Sequence, residues 1–132
     1  PDLPQDSRDE PHSFPLRHAV ARSTSQLSRD LKARVVVVRS RSGPTASVMV
    51  STRPTAPLVA MTTDAELWKQ FELLWGVIPR MIDESEFARP EGAARRLTRE
   101  LGLADEGDWI LLVAGFGKEE PRISALRAVA DQ

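Results

Sequence analysis

Four consecutive valines, Val35, Val36, Val37 and Val38, constrain this chain more than any other segment. β-Branched side chains lose rotamer freedom in a helix and fit a pleated strand. Successive strand residues point to opposite faces, so an unbroken valine run is apolar on both. Such a strand must be covered on both sides, which places it in an α/β protein with a mainly parallel sheet. The run breaks abruptly at Arg39, Ser40, Arg41, Ser42, Gly43 and Pro44, and Thr45 and Ala46 open a helix-competent segment. A strand–loop–helix junction of this kind aims backbone N–H groups and the positive end of a helix at one spot, which suits a phosphate. No other segment has the polar chemistry of a ligand site.

The remaining segments agree with that frame. Residues 1–12 carry prolines at 1, 4 and 11, many charges and one large apolar residue, Leu3, and read as a tail or linker. Residues 13–132 form the single domain that the length allows. Residues 14–31 read as a helix with Ser13 as N-cap, Pro15 in the first turn and an apolar face of Leu16, Ala19, Val20, Leu27 and Leu31. A short helix is expected over 45–52, ending before Arg53 and Pro54. A strand follows over 57–61. A helix capped by Thr62, Thr63 or Asp64 then runs to about Leu74, stopped by Gly76. Residues 77–82 form a third strand, whose Pro79 suits an edge. Residues 83–89 read as an acidic loop, and Pro90 opens a helix to Leu101 that Gly102 ends. The fourth strand spans 109–114 and the last 123–129. With no helix between them, these two are expected to pair as an antiparallel hairpin. The fold class is therefore a three-layer α/β/α sandwich.

Composition excludes several functions. A formal net charge of -1 gives no general attraction to nucleic acid or to an anionic membrane. The chain has no cysteine, which rules out disulfides and thiolate metal sites. No apolar run approaches the roughly 18 residues of a membrane span. Nothing in the sequence argues for secretion, and a cytoplasmic location is the expectation.

Five short motifs in order carry a resemblance. They are Ser42-Gly43-Pro44-Thr45-Ala46, Val50-Ser51-Thr52-Arg53-Pro54, Ala56-Pro57-Leu58-Val59-Ala60-Met61-Thr62, Leu74-Trp75-Gly76-Val77-Ile78-Pro79 and Gly107-Asp108. Together they resemble the C-terminal domain of pyruvate kinase, over residues 15–129. The resemblance implies a five-stranded sheet with the last strand antiparallel and helices on both faces. It also implies a regulatory and subunit-assembly role, with a second copy of the chain as partner in a homo-oligomer. Catalysis in that family, phosphoryl transfer from phosphoenolpyruvate to ADP, sits on a TIM barrel. A barrel alone needs about 200 residues or more, so this chain does not contain it. No cofactor is expected here; the magnesium and potassium of that reaction belong to the barrel.

The family's effector phosphate maps to the loop after the first strand, here Ser40, Arg41, Ser42, Gly43 and Thr45. The hydroxyls donate hydrogen bonds, Gly43 admits close backbone approach and Arg41 supplies charge. The competing reading is that Ser42 or Thr45 merely caps the next helix. A second loop, 115–122, offers Lys118 and Arg122 as further contacts, opposed by Glu119 and Glu120. That balance favours one phosphate of a small effector, or none, over a sugar bisphosphate. Two other readings stay open: a structural domain with an empty loop, and a small enzyme acting on a phosphoester. His12 and His18 read as surface residues. Asp83, Glu84 and Glu86 read as a solvated loop rather than a metal site, and Arg95, Arg96 and Arg99 as the wet face of a helix. Trp68, Phe71 and Trp75 read as core or interface packing, and Trp109 as partly exposed.

Overall fold

A computed structural model describes residues 13–41, 56–74, 76–114 and 122–129, with the side chains of 13–17 outside the description. The elements in chain order are α1 (Ser13–Leu31), β1 (Val35–Arg39), β2 (Leu58–Thr62), α2 (Ala65–Glu72), β3 (Val77–Met81), α3 (Glu84–Ala88), α4 (Pro90–Glu100), β4 (Trp109–Ala114) and β5 (Arg122–Arg127). The expected tail and the helix expected over 45–52 lie outside the described residues.

One five-stranded sheet has the order β3-β2-β1-β4-β5. β1 pairs in parallel with β2 and with β4, and β2 in parallel with β3, whereas β4 and β5 are antiparallel. The valine strand is thus central and buried throughout. Its alternation divides the core into two layers. Val36 and Val38 face one way with Leu58, Ala60, Leu111 and Val113, covered by Ala21 of α1 and by Leu67 and Phe71 of α2. Val35 and Val37 face the other way with Val59, Met61, Ile110 and Leu112, covered by Ala93, Ala94 and Leu97 of α4. This is the α/β/α sandwich that the valine run demands.

The cover from α1 includes Val20, Leu27 and Leu31 of the expected face, which pack against the layer of Val36 and Val38, and extends to smaller residues. Its fully covered positions include Ala21, Thr24, Ser25 and Ser28, while Val20, Leu27 and Leu31 are only half-buried. Small side chains let a helix lie close to a sheet, and the Thr24 hydroxyl is satisfied by donating to the Val20 carbonyl at 2.7 Å.

Helix ends follow from single residues. Asp64 caps α2, its carboxylate accepting from the backbone of Glu66 at 2.9 Å and of Leu67 at 3.4 Å. At the end of α4, Gly102 takes φ 70°. The Leu103 N–H then reaches the Thr98 carbonyl at 2.8 Å and the Gly102 N–H the Arg99 carbonyl at 3.0 Å. α1 ends with the same pair of bonds, Ala33 to Ser28 and Lys32 to Arg29, but places Lys32 at φ 55°.

Pro79 lies on β3, an edge strand, as its missing N–H requires. Its carbonyl accepts from the Arg80 guanidinium at 2.8 Å. The expected acidic loop over 83–89 is corrected: residues 84–88 are helical. Asp83 caps this turn by accepting from the Glu86 N–H at 2.8 Å, and Glu86 returns a bond by accepting from the Asp83 N–H at 3.0 Å. This reciprocal pair nucleates five residues that hydrophobic periodicity alone would leave as coil.

Candidate functional site

In open α/β sheets ligands bind outside the carboxyl ends of the strands, where the strand order reverses direction. Here the chain runs outward from β1 through β2 to β3 and then returns to the opposite side of β1 as β4. The switch point is therefore between β1 and β4. The residues that leave β1 at this point are Ser40 and Arg41, two of the expected site residues.

Ser40 continues the ladder beyond β1, its N–H donating to the Met61 carbonyl at 2.9 Å, and it is only 2% exposed. Arg41 emerges from the sheet, with a side chain 54% exposed. Arg122 reaches the same end from the other direction. Val38 is level with Val113, which is level with Ile123, so Ala114 and Arg122 form the next rung outward. β5 stands two strands from β1, or about 10 Å at ordinary strand spacing. Ser40, Arg41 and Arg122 are thus gathered at one edge. Ser42, Gly43, Thr45 and Lys118 lie outside the described residues.

Three features of this edge escaped the sequence reading. Arg39, the last residue of β1, is buried and donates from Nη1 to the Phe87 carbonyl at 2.7 Å. Phe87 receives two cations, with the Arg39 guanidinium 4.7 Å and the Arg41 guanidinium 4.0 Å from its ring centroid. Arg41 Nη2 also donates to Glu84 Oε1 at 2.6 Å. The short helix α3 therefore stands over the carboxyl end of β1, held by two arginines. The available signal was the Asp83–Glu86 capping spacing, which marks a helix start inside the acidic run.

α3 is fixed from its other side as well. Glu86 Oε2 accepts from Arg96 Nη2 on α4, and the Arg96 pKa is raised, chiefly by that hydrogen bond. Arg96 is thus tied to acidic partners, since Glu100 also lies 3.5 Å from its Nη1. The Asp83 carboxyl is held below the usual carboxylate range, first by the Glu86 N–H and then by the Ser85 hydroxyl. Asp83, Glu84 and Glu86 each serve a helix cap or an arginine. Among the described residues no three His, Cys, Asp or Glu side chains are grouped to hold a metal ion.

The other singled-out residues have structural partners. Arg95 Nε donates to the Arg127 carbonyl at 3.0 Å and Arg99 Nη1 to the Val129 carbonyl at 3.3 Å, so two arginines of α4 brace the end of β5. Trp109 is half-buried beneath the Arg127 guanidinium, 4.0 Å from its ring centroid. Phe71 is fully buried and Trp68 half-buried, whereas Trp75 and His12 lie outside the described residues. His18 is half-buried on α1. No helix among the described residues is long and apolar enough to cross a membrane.

These elements define a class: a doubly wound α/β domain whose polar loop leaves the central strand at the switch point. The family model for the pyruvate kinase alpha/beta domain matches residues 18–126, and the chain belongs to that family. A pyruvate kinase of Agrobacterium vitis is 33% identical over 100 residues, which cover 75% of this chain and 21% of that protein. One from Lactobacillus delbrueckii subsp. bulgaricus is 29% identical over 106 residues, covering 78% of this chain and 18% of the relative. The chain thus spans about a fifth of the length of these relatives. Among solved structures, Cryptosporidium parvum pyruvate kinase in complex with ADP superposes with a TM-score of 0.77 at 20% identity, covering 85% of this chain and 23% of that one. That likeness carries the fold.

Proposed function

We propose that this domain is a regulatory and assembly module of the pyruvate kinase type that holds one phosphate of a small effector at Ser40, Arg41, Ser42, Gly43 and Thr45. The supporting observation is the emergence of Arg41 at the carboxyl end of the central strand, beside the β1/β4 switch point. A guanidinium there, next to a hydroxyl-rich segment, supplies the charge-assisted donors that a phosphate monoester takes. Arg122, at the same edge, would add a second cation, and Lys118 a third. The module carries no reaction of its own in this reading. Phosphoryl transfer from phosphoenolpyruvate to ADP, with its magnesium and potassium, would belong to a barrel in a longer parent, acting in the cytoplasm as a homo-oligomer.

Calorimetric or NMR titration with sugar monophosphates and AMP tests the reading. Chemical-shift changes at Ser40 and Arg41 are expected, and no perturbation at millimolar ligand would overturn it. A second reading, assembly with an empty loop, is favoured by the carboxylate that Arg41 already has in Glu84. Self-association that survives Ser42→Glu, without any response to phosphate esters, would establish it instead.

A further inference from the structure

We infer that Glu84 is a built-in competitor for the Arg41 guanidinium, so that a phosphate monoester enters by exchanging places with this carboxylate; the inference rests on the phosphate-binding reading above. Three observations carry it. First, Arg41 is already charge-paired: Nη2, a nitrogen common to both bidentate edges of a guanidinium, donates to Glu84 Oε1 at 2.6 Å. Second, the pair is exposed, with 54% of the Arg41 side chain and 73% of the Glu84 side chain accessible. Exposed pairs are weak, so a dianionic ligand making the same bonds outcompetes a single carboxylate. Third, Arg41 does not depend on Glu84 for its position. Its guanidinium rests on the Phe87 ring at 4.0 Å, a contact that uses the face of the group and leaves its N–H edge for an anion.

Exchange also leaves α3 in place. The helix keeps the Asp83–Glu86 capping bonds, the Glu86–Arg96 pair and the Arg39 bond to the Phe87 carbonyl. Only Glu84 is released, on the exposed first residue of the helix. The consequence is an affinity threshold. An anion that cannot beat one carboxylate, such as a carboxylic metabolite, is turned away, whereas a phosphate monoester is admitted.

The experiment is a double-mutant cycle on the full chain, with the wild type, E84Q, R41Q and the double variant each titrated with inorganic phosphate and with a hexose 6-phosphate at fixed ionic strength. The expected result is that E84Q binds about two- to fivefold more tightly than the wild type, the range set by an exposed pair. The double variant is expected to bind no better than R41Q. In parallel, the Arg41 Nε–H resonance of the wild type should move on phosphate addition toward its position in phosphate-saturated E84Q. If the wild type binds but E84Q gains nothing, the competitor role is overturned and the phosphate site stands. If the gain persists undiminished in the R41Q background, it reports general charge rather than exchange, and the competitor role is again overturned. If none of the four proteins binds, both the phosphate site and the exchange are rejected.

Discussion

Glu86 and Arg96 join two helices through one carboxylate whose oxygens have separate duties. Oε1 accepts from the Asp83 N–H at 3.0 Å and closes the capping box of α3, while Oε2 takes the Arg96 guanidinium of α4. Glu86→Gln keeps an oxygen for the cap and loses the ion pair, at a cost of about 0.5–1 kcal/mol that shrinks at high salt. Glu86→Ala loses both and costs about 1 kcal/mol more. Urea unfolding at low and high ionic strength separates the two contributions; equal losses in both variants would refute the division of labour.

Acidification should reveal the Asp83 cap. Its folded-state pKa is depressed, so the unfolded chain takes up the proton first as pH falls. The stabilisation is fully present above the ordinary aspartate value of about 3.9, and is lost as pH falls through the lower folded value. Wild type and Asp83→Ala are therefore expected to differ in stability at neutral pH and to converge in acid. Chemical denaturation at a series of pH values measures the difference, and a gap independent of pH would contradict it.

Two helix ends with the same bonding pattern predict opposite responses. Gly102→Ala places a Cβ at φ 70° and should destabilise by about 1–2 kcal/mol, although among the described residues nothing beyond its own chain neighbours lies within 4 Å of that Cβ. Lys32→Gly relieves the same backbone penalty at φ 55° and should stabilise by about 0.5–1 kcal/mol after the added freedom of the unfolded chain is subtracted. Thermal melts of the two variants test the pair of signs.

Phe71 is fully buried beneath the sheet and anchors α2. Phe71→Ala is expected to cost about 3–5 kcal/mol. The lowered urea midpoint should be accompanied by an unchanged slope.

At the candidate site, Arg41→Gln should weaken phosphate binding about three- to tenfold while leaving the melting temperature nearly unchanged, because the lost protein contacts are exposed. Calorimetry read beside a thermal melt distinguishes a ligand contact from a structural one.

How far the sequence could be read depended on what each segment must bury. The valines of β1 and the Trp109–Ala114 run are buried along nearly their whole length. A strand apolar on both faces has few alternatives, and the layers followed from it. Pro79 marked an edge, and the short link before the last strand marked a hairpin; both are found. Boundaries moved by a residue or two, as in α2, which ends at Glu72 rather than Leu74, and β5, which spans Arg122–Arg127 rather than 123–129. α3 was illegible to periodicity because it buries no residue; its cause is the exchange of bonds between Asp83 and Glu86. The small covered residues of α1 escaped the sequence reading because they are polar; Thr24, one of them, satisfies its hydroxyl on the Val20 carbonyl of its own helix. At the candidate site, the placement of Ser40 and Arg41 just beyond β1 was legible from the sudden end of the valine run. Glu84 and Phe87, more than forty residues downstream, were not, because only the return of the chain over β1 brings them to Arg41.

Pro79 and Arg80 give the outer rim of β3 a chemical stop. A strand approaching that rim meets, at its midpoint, a residue with no amide hydrogen and a carbonyl already taken by the neighbouring guanidinium at 2.8 Å. Lengthening the sheet on this side would open a gap in the ladder that neither partner can fill. The molecule thus carries its own guard against edge-to-edge fibre growth at β3, achieved with two adjacent residues.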